Sequence, residues 1–526
     1  MATATPPAVL ETPAAAYAAG MSIAFTALRA PDRPAILSER GNRTWAELNE
    51  NANRLVRALR RRGLEAGDAV ALQCSNRPEF AEVYAACLRA GLRLTCLNWH
   101  LQRDESGYIV DDCEARGFLA EGDRVADVAS AAANAAPRAT VRLAIGEAIP
   151  GFESYASALA AEDGGDIADP VRGSVMLYTS GTTGRPKGVH RRTPPAPDRS
   201  EEREPMRSGE SVVLCTGPLY HAAPLQTNLV LALQRGVTLV LMDRFDPEDT
   251  LRLVERHRVT HTHMVATMFH RLLALPDDVK RRYDLSSLRY VLHGAAPTPV
   301  HVKQAMMDWL GPKLFEYYAA TEGGGTFITP AQWLEKPGSV GPPNAGRRVQ
   351  ILDDDGRALA PGQIGTVYFD RPEQGDFEYW KDAAKTASAY RGDRFTLGDH
   401  GYLDEDGFLF LTGRSSETII SAGVNIYPAE VDAALLMHPA VADVATVGVP
   451  HDERGEEVKA VVQLASGVAP SDALASELVE FCRARLAHFK CPRSVDFDMS
   501  LPRGEAGKIA RHLVRERYWQ GRDRRI

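Results

Sequence analysis

The sequence predicts an α/β fold: a large N-terminal domain of αβ-layered subdomains with a small β subdomain, followed by a smaller α+β C-terminal domain. Three observations carry this. Apolar runs of strand length alternate with amphipathic helical runs from residue 44 to about residue 320, a pattern in which crossover helices cover the faces of a parallel sheet. A turn-rich segment, 356–365, separates the short apolar runs 349–352 and 366–369, as in a small β unit. Around Gly413 the pattern changes to strand, turn, strand and a compact α+β run, and the remaining stretch of about 110 residues is an ordinary size for a separate domain. The expected division is 1–412 for the N-terminal domain, 413–416 for the connection and 417–526 for the C-terminal domain.

The elements follow from local patterns. Residues 1–40 are expected to form a loosely held arm. Thr44 and Glu47 have capping-box spacing, and Leu48, Ala52, Leu55, Val56 and Leu59 follow at helical intervals until Gly63. Residues 68–74 read as a strand, and Pro78 opens a helix to Gly91. Strand and helix alternate again through 211–214, 225–234, 237–242 and 247–257. Residues 260–265 alternate at period two and are expected to form a half-buried strand lining a pocket. His261 and His263 share one face of it, but no neighbouring carboxylate or thiolate completes a metal site. Apolar runs at 290–293 and 314–318 end in the small-residue turns 294–297 and 319–325. In the last part, Pro428 opens a helix, strands are expected at 442–449 and 457–464, and a helix around 478–486.

Bulk properties exclude several classes. The chain of 526 residues is 44% hydrophobic with a net charge of −8, which argues against a general nucleic-acid binder and requires any anionic ligand to be held by local basic groups. Its seven cysteines are scattered without CxxC spacing, as in reduced thiols of a cytoplasmic protein. The first twenty residues lack a basic segment before an apolar run, and no apolar stretch is long enough to span a membrane. A cytoplasmic location is the expectation.

The most informative stretch is 178–188, Tyr-Thr-Ser-Gly-Thr-Thr-Gly-Arg-Pro-Lys-Gly. It follows the apolar strand-like run 175–178. Its glycines allow backbone N–H groups to approach an anion, Thr179, Thr182 and Thr183 add hydroxyl donors, and Arg185 and Lys187 add charge. It reads as a phosphate-handling loop but not a Walker A loop, because Pro186 stands before Lys187 and the proline-rich 191–197 cannot continue as a helix.

These residues resemble the phosphate loop of the ANL superfamily of adenylate-forming enzymes, and the resemblance, closest to its fatty-acid-type acid–CoA ligases, extends over about residues 25–515. It implies an AMP-forming acyl-CoA synthetase using ATP, Mg²⁺ and coenzyme A on a small-molecule carboxylic acid. Thr179, Ser180, Gly181, Thr182, Thr183, Gly184 and Lys187 would hold phosphates. Gly294, Ala295 and Ala296 would wall the adenine slot, with Tyr318 stacking opposite. Thr321 would bind the α-phosphate and Glu322 would hold Mg²⁺. Asp399 would accept from the ribose, Arg414 would contact ribose and phosphate, and His221 would neighbour the acyl carboxylate.

By the same resemblance Lys508, in the turn 501–509, would be the catalytic lysine bridging carboxylate and α-phosphate. The C-terminal domain would be a mobile lid, with 413–416 as hinge and Ser421, Ala422 and Gly423 lining the pantetheine path. Ser416 stands where relatives often carry Asp or Lys. Two further departures bear on the acyl pocket: Ala319 replaces a glycine usual before the Thr-Glu pair, and Val265-Ala266-Thr267 replaces a Val-Pro pair. With the lysine turn near Ile526, no fused carrier-protein domain is expected. The alternatives are an enzyme loading a separate carrier protein, one that only thioesterifies an adenylate supplied by a partner, and a non-catalytic nucleotide- or acyl-binding module.

Overall fold

The computed structural model describes residues 8–179, 186–191, 206–296, 298–344, 347–371, 376–414, 417–421, 424–451, 455–486, 488–503 and 508–520. Within them the strands form four sheets. One has the spatial order Gly323–Ile328, Leu314–Ala320, Tyr290–His293, His261–Met264, Val212–Cys215, Thr238–Leu241, Pro34–Ser38, Arg43–Thr44, and its six inner strands pair in parallel. A second has the order Phe377–Tyr379, Lys187–Arg191, Ser174–Thr179, Arg93–Leu97, Ala69–Gln73, Ala115–Glu121, Val141–Ile145, Glu153–Ser154, antiparallel only at its first two pairings. Helices pack on these sheets, as the alternating pattern requires.

The small β subdomain is an antiparallel sheet of Val349–Leu352, Gly365–Asp370, Arg394–Leu403 and Tyr390–Arg391, with Leu409–Arg414 paired to Arg394–Leu403. The C-terminal part has its own sheet, Val424–Ile426, Ile419–Ser421, Gly455–Leu464 and Val441–His451, joined by Ser494–Phe497. It also has its own apolar core around Ile419, Val431, Leu435, Val458, Val462 and Leu478. The fold is therefore α/β, with a large N-terminal and a smaller C-terminal domain. Ser416 and Arg185, with much of the phosphate loop and the glycine stretch before Lys508, lie outside the described residues.

The helix Trp45–Arg61 shows why local sequence was informative. Thr44 Oγ1 accepts from the Glu47 amide, Glu47 reciprocates to the Thr44 amide, and Trp45, Leu48, Ala52, Leu55, Val56 and Leu59 are all fully buried. The strand His261–Met264 corrects the half-buried expectation. It lies between Val212–Cys215 and Tyr290–His293 and is buried at every position, because a central parallel strand is covered on both faces.

The expected loose arm is also corrected. Residues 8–40 include the helices Pro13–Ala18 and Ser22–Ala27 and the sheet strand Pro34–Ser38, and Leu10, Ala16, Met21 and Ile23 are buried. Gly20 permits this close seating. It has φ +72°, and a Cβ there would lie 2.2 Å from the Leu88 carbonyl oxygen. All seven cysteines are buried, and burial raises each thiol above its ordinary pKa. Among the described residues no helix is long and apolar enough to cross a membrane.

The close approach at Gly20 gives a direct test. Gly20→Ala combines a left-handed φ with a backbone collision and is expected to destabilise by about 1–3 kcal/mol. Denaturant unfolding would register the loss, and limited proteolysis would locate it before residue 40; unchanged stability would contradict the seating described here.

Candidate functional site

Parallel strands deliver loops at their carboxyl ends, where open α/β sheets bind ligands beside the switch in strand order. In the first sheet that switch lies at Val212–Cys215, with Thr238–Leu241 on one side and His261–Met264 on the other. The chain after Val212–Cys215 carries His221, that after Tyr290–His293 carries Gly294, Ala295 and Ala296, and Leu314–Ala320 leads into Thr321 and Glu322. Thr179 and Lys187 face each other as an antiparallel pair, flanking the loop expected to hold phosphates. A single cavity of about 3000 Å³ is lined by Thr179, Lys187, His221, Ala295, Ala296, Tyr318, Thr321, Glu322, Asp399 and Lys508.

Specific contacts hold several of these groups. Tyr318 Oη donates to Asp399 Oδ2 at 2.6 Å, joining the end of Leu314–Ala320 to the small β subdomain. Tyr379 Oη donates to Glu322 Oε1 at 2.9 Å. No ion pair occupies the Glu322 carboxylate among the described residues, so it retains acceptor capacity toward the cavity, as an oxygen-seeking divalent cation requires. Lys187 Nζ lies 3.4 Å from Asp382 Oδ2. Arg191 Nη2 donates to the carbonyl oxygens of Glu322 at 2.7 Å and Thr321 at 3.2 Å. Burial lowers the Arg191 pKa.

The wall formed by Gly294 and Ala295 depends on close backbone approach. A Cβ at Gly294 would meet the Tyr317 carbonyl oxygen at 2.5 Å, and Ala295 adopts φ +63°. Behind that wall, Lys303 Nζ pairs with Glu316 Oε2 at 2.7 Å, and His293 Nε2 is 3.6 Å from the same oxygen. His263 Nε2 is 3.1 Å from Tyr317 Oη. The His261 and His263 side chains thus serve strand contacts, His261 Nδ1 lying 2.7 Å from Thr260 Oγ1.

Not every expected residue comes to this cavity. Ser180, Gly181, Thr182, Thr183, Gly184, Ala422 and Gly423 lie outside the described residues. The Arg414 backbone pairs with Asp399, while its side chain is outside the described part. Ser421 is buried in the C-terminal sheet, paired with Val424, and is not among the cavity-lining residues. Ala319 does line the cavity, next to a register shift between Tyr318 and Ala320. Sequence reasoning missed Arg191, Tyr379 and Asp382. Their partners are 130, 57 and 195 positions away, and no local signal marks them.

The buried imidazole of His263 makes stability pH-dependent. Burial pushes its pKa from the ordinary 6.5 down to about 4. Between those values the unfolded chain binds the proton and the folded chain does not, so stability present above pH 6.5 is lost as pH falls toward 4, by about 3 kcal/mol for this group. Urea unfolding of His263→Gln across that range is expected to show a shallower loss than the parent; parallel curves would contradict it.

Comparison with known proteins agrees with this geometry. Residues 24–375 match the AMP-binding enzyme family, and residues 430–508 match the AMP-binding enzyme C-terminal domain. The chain is 32% identical over 514 residues to the fatty acid–acyl-carrier-protein ligase ScoC of Streptomyces coeruleorubidus, covering 95% of this chain and 96% of that protein. It is 34% identical over 482 residues to a feruloyl-CoA synthase of Amycolatopsis, covering 90% and 94%. The structure of ATP-bound MatB from Rhodopseudomonas palustris superposes with a TM-score of 0.80 at 28% identity, covering 93% of this chain and 96% of that one. The chain belongs to the AMP-binding enzymes, the ANL superfamily that its motifs resemble, with both the large N-terminal part and the C-terminal part of that family.

Proposed function

We propose that this protein is an ATP-dependent acid–CoA ligase. The observation that carries the reading is the shared cavity, which brings Lys508 of the C-terminal part to the same space as Thr179, His221, Thr321, Glu322 and Asp399. A carboxylate is a poor electrophile. Its oxygen attacks the α-phosphorus of ATP, the bond to pyrophosphate breaks, and the resulting acyl adenylate carries AMP as leaving group. The CoA sulfur then attacks the acyl carbon, and AMP departs as the thioester forms.

Each group has a part in that sequence. Thr179, the loop from Ser180 to Gly184, and Lys187 cradle the phosphates. Gly294, Ala295 and Ala296 admit the adenine ring against backbone, and Tyr318 covers its other face. Asp399 holds the ribose with Arg414, and Thr321 binds the α-phosphate. Tyr379 and Arg191 fix the Glu322 side chain and backbone, so this carboxylate would hold Mg²⁺, which when bound neutralises phosphate charge. His221 neighbours the acid. Lys508 stabilises charge as it passes from carboxylate to phosphate.

After pyrophosphate leaves, rotation about 413–416 withdraws Lys508 and brings the segment from Ser421 to Gly423 to the thiol path. The similarity to a fatty acid–acyl-carrier-protein ligase supports a second reading, in which a carrier-protein thiol replaces CoA as acceptor. The similarities to that ligase and to a feruloyl-CoA synthase support fatty and aryl acids as substrates.

Two measurements test these assignments. Mass spectrometry of products from a panel of acids with ATP, Mg²⁺ and either CoA or a carrier protein is expected to find acyl-CoA and AMP. Thioester only from synthetic acyl adenylates would assign the second half-reaction alone, and thioester only on the carrier would replace CoA. Lys508→Ala is expected to slow adenylate formation by about a hundredfold, roughly 3 kcal/mol, while sparing thioester formation from preformed adenylate. An equal loss in both steps removes the proposed role.

A further inference from the structure

The cavity has a second arm that the adenylating groups do not use. It runs along the strand Ser174–Thr179 and the helical stretch after His221, walled by Val175, Leu177, Thr227, Val230 and Leu88. Its far end is polar, formed by Arg172, Tyr84, Gln234 and Tyr17. Arg172 precedes Thr179 by seven positions, on the order of 20 Å along extended chain. A separate recess of about 30 Å³ against Gly20, Ser22 and Ile23 shares Arg172, Tyr84, Tyr17 and Gln234 with this end and has room for about one or two waters. An acyl chain entering this arm therefore ends beside Arg172.

The groups at that end are incompletely matched by the protein. Arg172 Nη1 donates to the Tyr17 carbonyl, and its guanidinium lies 3.8 Å from the Tyr17 ring centroid. Among the described residues no carboxylate pairs with Arg172, and the Tyr84 hydroxyl has no hydrogen-bond partner. Both side chains line the large cavity and the small recess. A guanidinium offers five N–H donors in a planar fork. One donor and one ring face suffice to seat the N-terminal segment, and the remainder, with a phenolic hydroxyl alongside, matches a planar anion.

We propose that Arg172 and Tyr84 form a subsite for a second carboxylate, so that the acids this enzyme activates are long acids carrying a carboxylate at the end remote from the reacting one. The inference rests on the acid-ligase reading for its chemistry. A methyl-ended acid of equal length would leave the cation and the hydroxyl facing hydrocarbon, and sites built around such polar groups discriminate strongly against ligands that leave them unpaired.

The test uses the full chain with ATP, Mg²⁺ and CoA. Equimolar pairs of α,ω-dicarboxylic and monocarboxylic acids, matched in length across a series, compete for thioester formation, and binding of each acid is also measured by calorimetry without ATP. The dicarboxylic acid is expected to be preferred at least roughly tenfold at the fitting length. Arg172→Met should abolish or reverse that preference, Arg172→Lys should keep part of it, and Tyr84→Phe should weaken it.

Monocarboxylic preference at every length in the parent protein, or an equal fall for both acids in Arg172→Met, overturns the subsite and leaves the ligase reading intact. Selective dicarboxylate binding that Arg172→Met loses, without thioester from any acid, upholds the subsite and overturns the ligase reading. Absence of binding by either acid overturns the subsite.

Discussion

The site depends on one half-buried guanidinium. Arg191 closes the strand Lys187–Arg191, which lies between Ser174–Thr179 and Phe377–Tyr379 in the second sheet, and its Nη2 holds the carbonyl oxygens of Thr321 and Glu322 at the end of the first. One side chain thus fixes the phosphate-loop strand relative to the Thr-Glu turn. The neighbouring strand brings Tyr379 to Glu322, so backbone and side chain of the same residue are held from the same sheet. Partial burial lowers the pKa of the guanidinium, but an arginine remains charged there.

Beneath this junction the floor is built from charge rather than hydrocarbon alone. Lys303 is fully buried, yet its ammonium is 2.7 Å from Glu316, and His293 approaches the same carboxylate. Buried pairs of this kind contribute little net stability but strongly penalise loss of one partner. They pin strands Tyr290–His293 and Leu314–Ala320 to the helix Val300–Leu310, and those two strands lead into the wall of Gly294 and Ala295 and the Thr-Glu turn. The wall can therefore tolerate Ala295 at positive φ and Gly294 against the Tyr317 carbonyl.

Much of the architecture was legible because local signals and tertiary environment agree. The Thr44 capping box, the helix at Pro78 and the turn-rich small β unit each carry their cause within a few residues. The loose-arm reading of 1–40 did not hold for the described residues 8–40. The helices Pro13–Ala18 and Ser22–Ala27 are too short to be stable alone and owe their order to seating on distant chain, which no window of sequence displays. The period-two pattern at His261 and His263 suggested a wet face, but Thr260 and Tyr317 supply the polar partners, so the strand is buried throughout. For the site, motif residues could be found by type and spacing. Arg191, Tyr379 and Asp382 could not, because only the fold brings their partners near.

The placement of sulfur has a chemical consequence. An acyl adenylate is an electrophile that any thiolate would intercept, including one belonging to the protein. Each cysteine is buried with its ionisation suppressed, and none lines the large cavity. The chamber therefore exposes the activated acyl group to an incoming thiol without offering it a resident one, which guards the catalyst against acylating itself. It also makes the folded protein nearly silent to thiol-reactive dyes, so consumption of a free thiol acceptor can be followed directly against a low background.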